Sequence, residues 1–267
     1  MSRNCSSHNG PAAWLFLVAT LGWTWSFLLP AGLTEQGLFD FPVAIFSAIG
    51  LLGPMIVAGV LIASGRWDPS LDPTVGHFFR RCFDPRTLPT GWILAVMGLV
   101  VLLAVGPVFL DLPVLREKGV WEPGPLAFVL LGFLGALEEP GWRGYAQEGL
   151  QRQMPVVLAG LVIGVFWALW HLPLFFIEGT YQAGLQPGSV AFWAFMVALL
   201  VGAPFYAWLY NAAGKVVFAA LLYHGLGNVA RELVPDVSVL AEVAVEAAMM
   251  LAVVILGWPW MKRPADQ

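Results

Sequence analysis

Charge is what this chain has least of. Only 11% of its 267 residues are charged, against 59% hydrophobic, and the mean hydropathy is +0.77. A soluble domain carries about 25% charged residues, so water is excluded as the solvent for most of this surface. The 13 lysines and arginines are scattered, the formal net charge is -4, and no basic block exists to hold nucleic acid. With only two cysteines, Cys5 in a polar tail and Cys82 in a basic loop, a disulfide framework and a CxxC metal knuckle are also excluded. There is no HExxH, no internal repeat and no low-complexity tract.

What remains is apolar length. Continuous hydrophobic runs, without period-two alternation, select helices over a barrel, and only helices or closed barrels satisfy every backbone group in lipid. The expected fold is therefore all-α, a polytopic membrane bundle forming one integral domain over 1–267. At about 20 apolar residues per span, eight helices are expected near 12–30, 42–64, 90–110, 125–150, 155–177, 189–210, 215–234 and 238–260. The first run follows a weakly charged start with no small-x-small cleavage pattern, so it reads as a retained helix and not a signal peptide. The terminal PADQ carries no lipidation cysteine.

Lys and Arg collect on the cytoplasmic side of membrane proteins. With a cytoplasmic N-terminus that side holds Arg3, Arg66, Arg80, Arg81, Arg86, Arg143, Arg152, Lys215, Lys262 and Arg263, ten of the 13, leaving Arg116, Lys118 and Arg231 opposite. Without Arg143, which falls within an apolar run, the ratio is nine to three. Both termini are expected in the cytoplasm, and the membrane is expected to be the plasma membrane, or the endoplasmic reticulum in a eukaryote. The stretch HFFRRCF, with Phe78, Phe79 and Phe83 alternating with Arg80 and Arg81, predicts a short interfacial helix.

Against this background three polar clusters need explaining, because an ionisable group at the bilayer centre costs about 2.5 to 3.5 kcal/mol. In LEEPGWRGY, Glu139 and Arg143 stand four apart and can pair along one helix face, which turns Glu138 elsewhere and leaves it free for chemistry. Pro140 removes a backbone donor and predicts local loosening. In VFWALWHLP, His171 lies deep in an aromatic helix, one turn after Trp167. In YHGLGN, His224 and Asn228 share a face. Counted from the turn near 151–155 at about 1.5 Å per residue, Glu138 and His171 lie at similar depths. Each residue alone reads as interhelical glue. Two glutamates, an arginine, two histidines and an asparagine on three helices exceed what gluing needs.

In order and internal spacing, these motifs resemble the CPBP family of intramembrane proteases, which includes the Rce-type CAAX prenyl endopeptidases, bacteriocin-processing proteins and abortive-infection proteins. The resemblance covers about 125–232. It implies an endopeptidase acting on a membrane-associated peptide or protein, a prenylated CAAX chain among the candidates. Glu138 and His171 would activate water, His224 and Asn228 would stabilise the oxyanion, and Glu139 and Arg143 would support the site. The second motif departs from the family pattern, with Trp167 where phenylalanine usually stands. No cofactor is expected, with zinc left open: Glu138, His171 and His224 are competent ligands, while separated donors with Asn228 beside the second histidine suit an oxyanion hole. The partners expected are the bilayer and that substrate. Two other functions fit the same residues: a proton- or ion-coupled transporter, and a silent membrane interaction protein.

Overall fold

A computed structural model describes residues 9–34, 36–68, 71–110, 125–233 and 238–263. Arg3, Cys5, Arg116, Lys118, residue 234 and the terminal PADQ lie outside them. Every regular element among the described residues is helical. Helix α1 (Asn9–Gly32) packs on a bent pair, α2 (Val43–Leu51) and α3 (Gly53–Ala63), which meet at 53° around Leu52. The bend has a local cause. Pro54 cannot donate a backbone hydrogen bond, and a Cβ on Gly53 would stand 2.3 Å from Thr24 Oγ1, so the chain breaks where α1 comes closest. Thr24 Oγ1 donates to the Gly50 carbonyl at 2.8 Å and the Trp23 indole to the Ile49 carbonyl at 3.0 Å, which satisfies two carbonyls ahead of the bend.

The expected interfacial segment is a helix, α4 (Val75–Phe83), started by Thr74, whose Oγ1 accepts from the His77 N–H at 3.1 Å. Phe78 and Cys82 are buried while Arg80 is exposed. Helix α5 (Thr90–Phe109) is uniformly apolar and turns Leu94, Val101 and Phe109 outward. Exposed residues of this kind on a long apolar helix fit a lipid-facing surface.

The fourth expected span is not one helix. It divides into α6 (Pro125–Gly135), a 3-10 turn (Ala136–Glu138), a π-helical segment (Pro140–Gln147) and the single turn α7 (Glu148–Leu150). Beyond it come α8 (Val156–His171), a 3-10 segment (Leu172–Phe176), α9 (Tyr181–Gly184), α10 (Val190–Ala212), α11 (Val217–Leu233) and α12 (Val239–Met261). The expected count of eight spans is not reached: among the described residues, five helices are long and apolar enough to cross a membrane, six if the bent pair is one span. The shortfall falls on the two segments carrying motifs: 125–150 is broken, and α11 has 17 residues with polar side chains along it.

Glycines set the closest approaches. Gly160 and Gly164 lie one turn apart on α8, and a Cβ on either would reach 2.7 to 2.8 Å from the backbone of Pro204 or Leu200 on α10. Small residues four apart are the usual means of drawing membrane helices together. Gly225 of α11 does the same for Phe133 of α6, at 2.6 Å. These contacts clamp α6, α8, α10 and α11 around the π-helical segment, whose eight residues are all buried.

Candidate active site

Pro140 has no N–H to return to the preceding turn, and the backbone answers by tightening before it and widening after it. Two glycines let this irregular segment sink into the bundle. A Cβ on Gly141 would lie 2.5 Å from the Pro54 carbonyl oxygen, and one on Gly144 would lie 3.0 Å from the Phe78 ring and 3.2 Å from Cys82 Sγ. The segment thus rests on α3 on one side and on α4 on another.

The two glutamates diverge. Glu139 is fully buried and spans two partners: Oε1 accepts from His224 Nδ1 at 2.7 Å, and Oε2 stands 3.4 Å from Arg143 Nε without hydrogen-bond geometry. Glu138, also buried, has no cationic partner among the described residues. Its Oε2 accepts from the indole of Trp142 at 3.0 Å and from that of Trp167 at 2.6 Å. The expected division, one carboxylate engaged by Arg143 and the other turned away, is what the geometry shows.

Arg143 is fully buried, and none of its three guanidinium nitrogens has a hydrogen-bond partner among the described residues. Two aromatic faces hold it instead, with Cζ 4.9 Å from the Trp167 ring and 4.4 Å from that of Tyr206. Trp167 is the hub of the cluster. Its ring lies 5.9 Å from that of His171 and 5.7 Å from that of His224, and Tyr206 meets both Trp167 and His224 edge-on. Glu138 interacts electrostatically with His224 and Glu139, and His171 with His224. The structure therefore brings Glu138, Glu139, Arg143, His171 and His224 together.

Both histidines have their ring orientation assigned by a partner that can only accept. His171 Nδ1 donates to the Trp167 carbonyl at 2.8 Å, and His224 Nδ1 donates to Glu139. Each imidazole thus has its Nε2 left without a hydrogen bond among the described residues. Asn228 Nδ2 donates to the Gly132 carbonyl at 3.2 Å. The absent Cβ of Gly135 would sit 3.0 Å from that same Nδ2 and 4.0 Å from His224 Nε2. A side chain larger than hydrogen at 135 would occupy the space between these two groups.

Among the described residues, Glu138 Oε1, His171 Nε2 and His224 Nε2 take no hydrogen bond, yet none is sealed from solvent as the Arg143 nitrogens are. They are polar atoms left open in a packed aromatic core. As they stand these residues do not fit a zinc ion: no group of three His, Cys, Asp or Glu side chains among the described residues could hold a metal ion, and each of the three contacts Trp167.

Sequence reasoning missed the polar role of Trp142 and Trp167, taking the second only as a departure from the family pattern. The signal was present, since Trp142 is four residues after Glu138 and carries an N–H. It also missed Tyr206, which lies outside every motif and which nothing local distinguishes. Glu148, four residues before Arg152, belongs to a separate network with Tyr210, Gln151, Arg152 and Lys215.

Long apolar helices thus enclose a buried carboxylate beside two imidazoles. Comparison with known proteins finds two matches. Residues 120–230 match the family model described as type II CAAX prenyl endopeptidase Rce1-like. A protein of Methanococcus maripaludis named CAAX prenyl protease 2 is 27% identical over 226 residues, covering 82% of this chain and 81% of that protein. The resemblance drawn from the motifs is thereby borne out: residues 120–230 match an Rce1-like family model, and they include Glu138, Glu139, Arg143, His171, His224 and Asn228.

Proposed function

We propose that this chain is an intramembrane endopeptidase that hydrolyses a peptide bond with water activated by Glu138 and His171. The observation that carries the reading is the open set of Glu138 Oε1, His171 Nε2 and His224 Nε2 in an otherwise closed core. A water between Glu138 Oε1 and His171 Nε2 gives a proton to the carboxylate as its oxygen bonds to the scissile carbonyl carbon. The carbonyl oxygen becomes an oxyanion facing His224 and Asn228. The C–N bond then breaks, and Glu138 returns the proton to the departing amine. Glu139 and Arg143 support His224 and Trp167 from behind. No step passes through a metal or another cofactor.

The substrate class follows from the name of the archaeal relative and from the location of the site. It is a membrane-associated peptide or protein, with a prenylated CAAX C-terminus as the specific candidate. Both ends of the chain face the cytoplasm in this reading, supported by the nine-to-three distribution of basic residues, and the whole chain acts as one membrane-embedded unit.

The test is reconstitution of wild type and Glu138→Gln into vesicles with a pool of prenylated and unprenylated peptides, followed by cleavage and proton flux. Cleavage by wild type, lost in the variant, supports the reading. Proton flux with no cleavage makes the protein a transporter, and neither activity makes it an interaction protein.

A further inference from the structure

The two carboxylate oxygens of Glu138 are in different circumstances. Oε2 accepts two indole N–H groups, Trp167 at 2.6 Å and Trp142 at 3.0 Å, while Oε1 is open. The shorter bond falls just under the range of about 2.7 to 2.9 Å usual for charge-assisted N–H···O contacts. A cation sits over the ring that donates it, since Arg143 Cζ is 4.9 Å from the Trp167 centroid. A cation on a π face draws electron density from the ring and strengthens its N–H as a donor.

We propose that Trp167, backed by Arg143 and assisted by Trp142, is a positioning residue for Glu138: the indoles occupy Oε2 and present Oε1 alone to the water. This rests on the endopeptidase reading and gives Arg143 a task that needs no hydrogen bond of its own. A carboxylate in an apolar pocket must have donors to stay ionised. Here the donors are neutral and fixed in packed rings, so they compensate the charge without competing for the reacting oxygen. The phenylalanine usual at this place in the resembling family keeps the ring and lacks the N–H. Trp167→Phe is thus the conservative removal of one donor.

The experiment labels the tryptophan indoles with 15N in wild type, Trp167→Phe, Trp142→Phe and Glu138→Gln, each in lipid nanodiscs, and measures kcat and KM on the same samples. The Trp167 indole proton, identified by its loss in Trp167→Phe, is expected far downfield of the other tryptophans and displaced upfield by Glu138→Gln. Trp167→Phe should lower kcat about 10- to 100-fold, the effect of one hydrogen bond to a charged group, with KM held within about twofold. Trp142→Phe, which removes the longer bond, should lower it less. An ordinary Trp167 resonance unmoved by Glu138→Gln overturns the proposal, and so does a folded Trp167→Phe with wild-type kcat. If Trp167→Phe does not fold, displacement of two indole resonances by Glu138→Gln supports the proposal, and no displacement overturns it. A wild type that cuts no peptide but shows the displaced resonance ends the endopeptidase reading while leaving the hydrogen bond itself established.

Discussion

Two acid–arginine pairs with buried carboxylates in this molecule are built in opposite ways. Outside the membrane spans, the Asp72 carboxylate is closed on all sides, accepting from Arg81 Nη2 at 2.7 Å and Nε at 3.0 Å, from His77 Nδ1 at 2.8 Å and from the Trp67 indole at 3.2 Å. In the core, Glu139 and Arg143 approach only to 3.4 Å, and the guanidinium makes no hydrogen bond among the described residues. The first pair is saturated and fastens α4 to its preceding loop, through His77 in its first turn and Arg81 in its last. The second has capacity left over, which goes to His224 on one side and to two aromatic faces on the other. A buried ion pair satisfied in every direction holds structure, whereas one left incomplete can orient other groups.

Glu138→Gln acts beside the incomplete pair and has the largest expected effect. It keeps the shape and the indole contacts but cannot take a proton, so hydrolysis should fall about 100- to 10,000-fold while the thermal transition stays near that of wild type. Cleavage that persists would move the proton acceptor away from Glu138.

Glu139→Gln breaks the incomplete pair itself. It leaves Arg143 without its counter-charge in a fully buried position, a change that costs about 3 to 5 kcal/mol, and it weakens the hold on His224. Loss of folded protein in detergent should accompany loss of activity. A variant as stable as wild type would mean that the aromatic faces alone sustain the guanidinium.

Asp72→Asn breaks the saturated pair and should do less. The α4 clamp loosens by about 2 kcal/mol, the scale of hydrogen bonds to a charged group, and folded protein should keep its kcat. Burial works against the Asp72 carboxylate, but the bonds from Arg81, His77 and Trp67 outweigh it and hold the group below its ordinary value of 3.8. A group lowered in this way contributes fully above its unfolded value and loses that contribution as the pH falls through its folded value. The stability gap between wild type and Asp72→Asn should therefore persist at neutral pH and close as the pH falls below 3.8, as read by thermal unfolding. A gap constant through that range would remove Asp72 ionisation from the clamp.

The smallest expected effect is an absence of reaction. Cys82 belongs to the basic loop that should face the cytoplasm, yet it is fully buried against Gly144, and burial pushes its thiol up to about 12. Maleimide should not label it in folded protein from either side. Arg86, exposed at the end of the same loop, is the better reporter: Arg86→Cys should label from the cytoplasmic face, and labelling from the opposite face only would reverse the orientation.

Composition by itself determined the solvent, and patterning then determined the fold class. A chain with 11% charge must satisfy its backbone in lipid as helices or a closed barrel, and continuous apolar runs without alternation select helices. Spacing determined which glutamate meets Arg143, since four residues bring two side chains to one face even where the helix is distorted. Motif order singled out six candidate site residues. Only the tertiary structure decided the rest. The break of 125–150 into 3-10 and π segments depends on whether neighbours tolerate a widened backbone, which Gly141 and Gly144 allow against Pro54 and Phe78. Glu139 reaching His224 across 85 residues, and Tyr206 covering Arg143 from a helix without a motif, are contacts between elements that carry no local period. Hydrophobicity and spacing are properties of one segment at a time. Which open atoms share a pocket depends on how closely separate helices approach, and here glycines at the interfaces and one tryptophan at the centre set that distance.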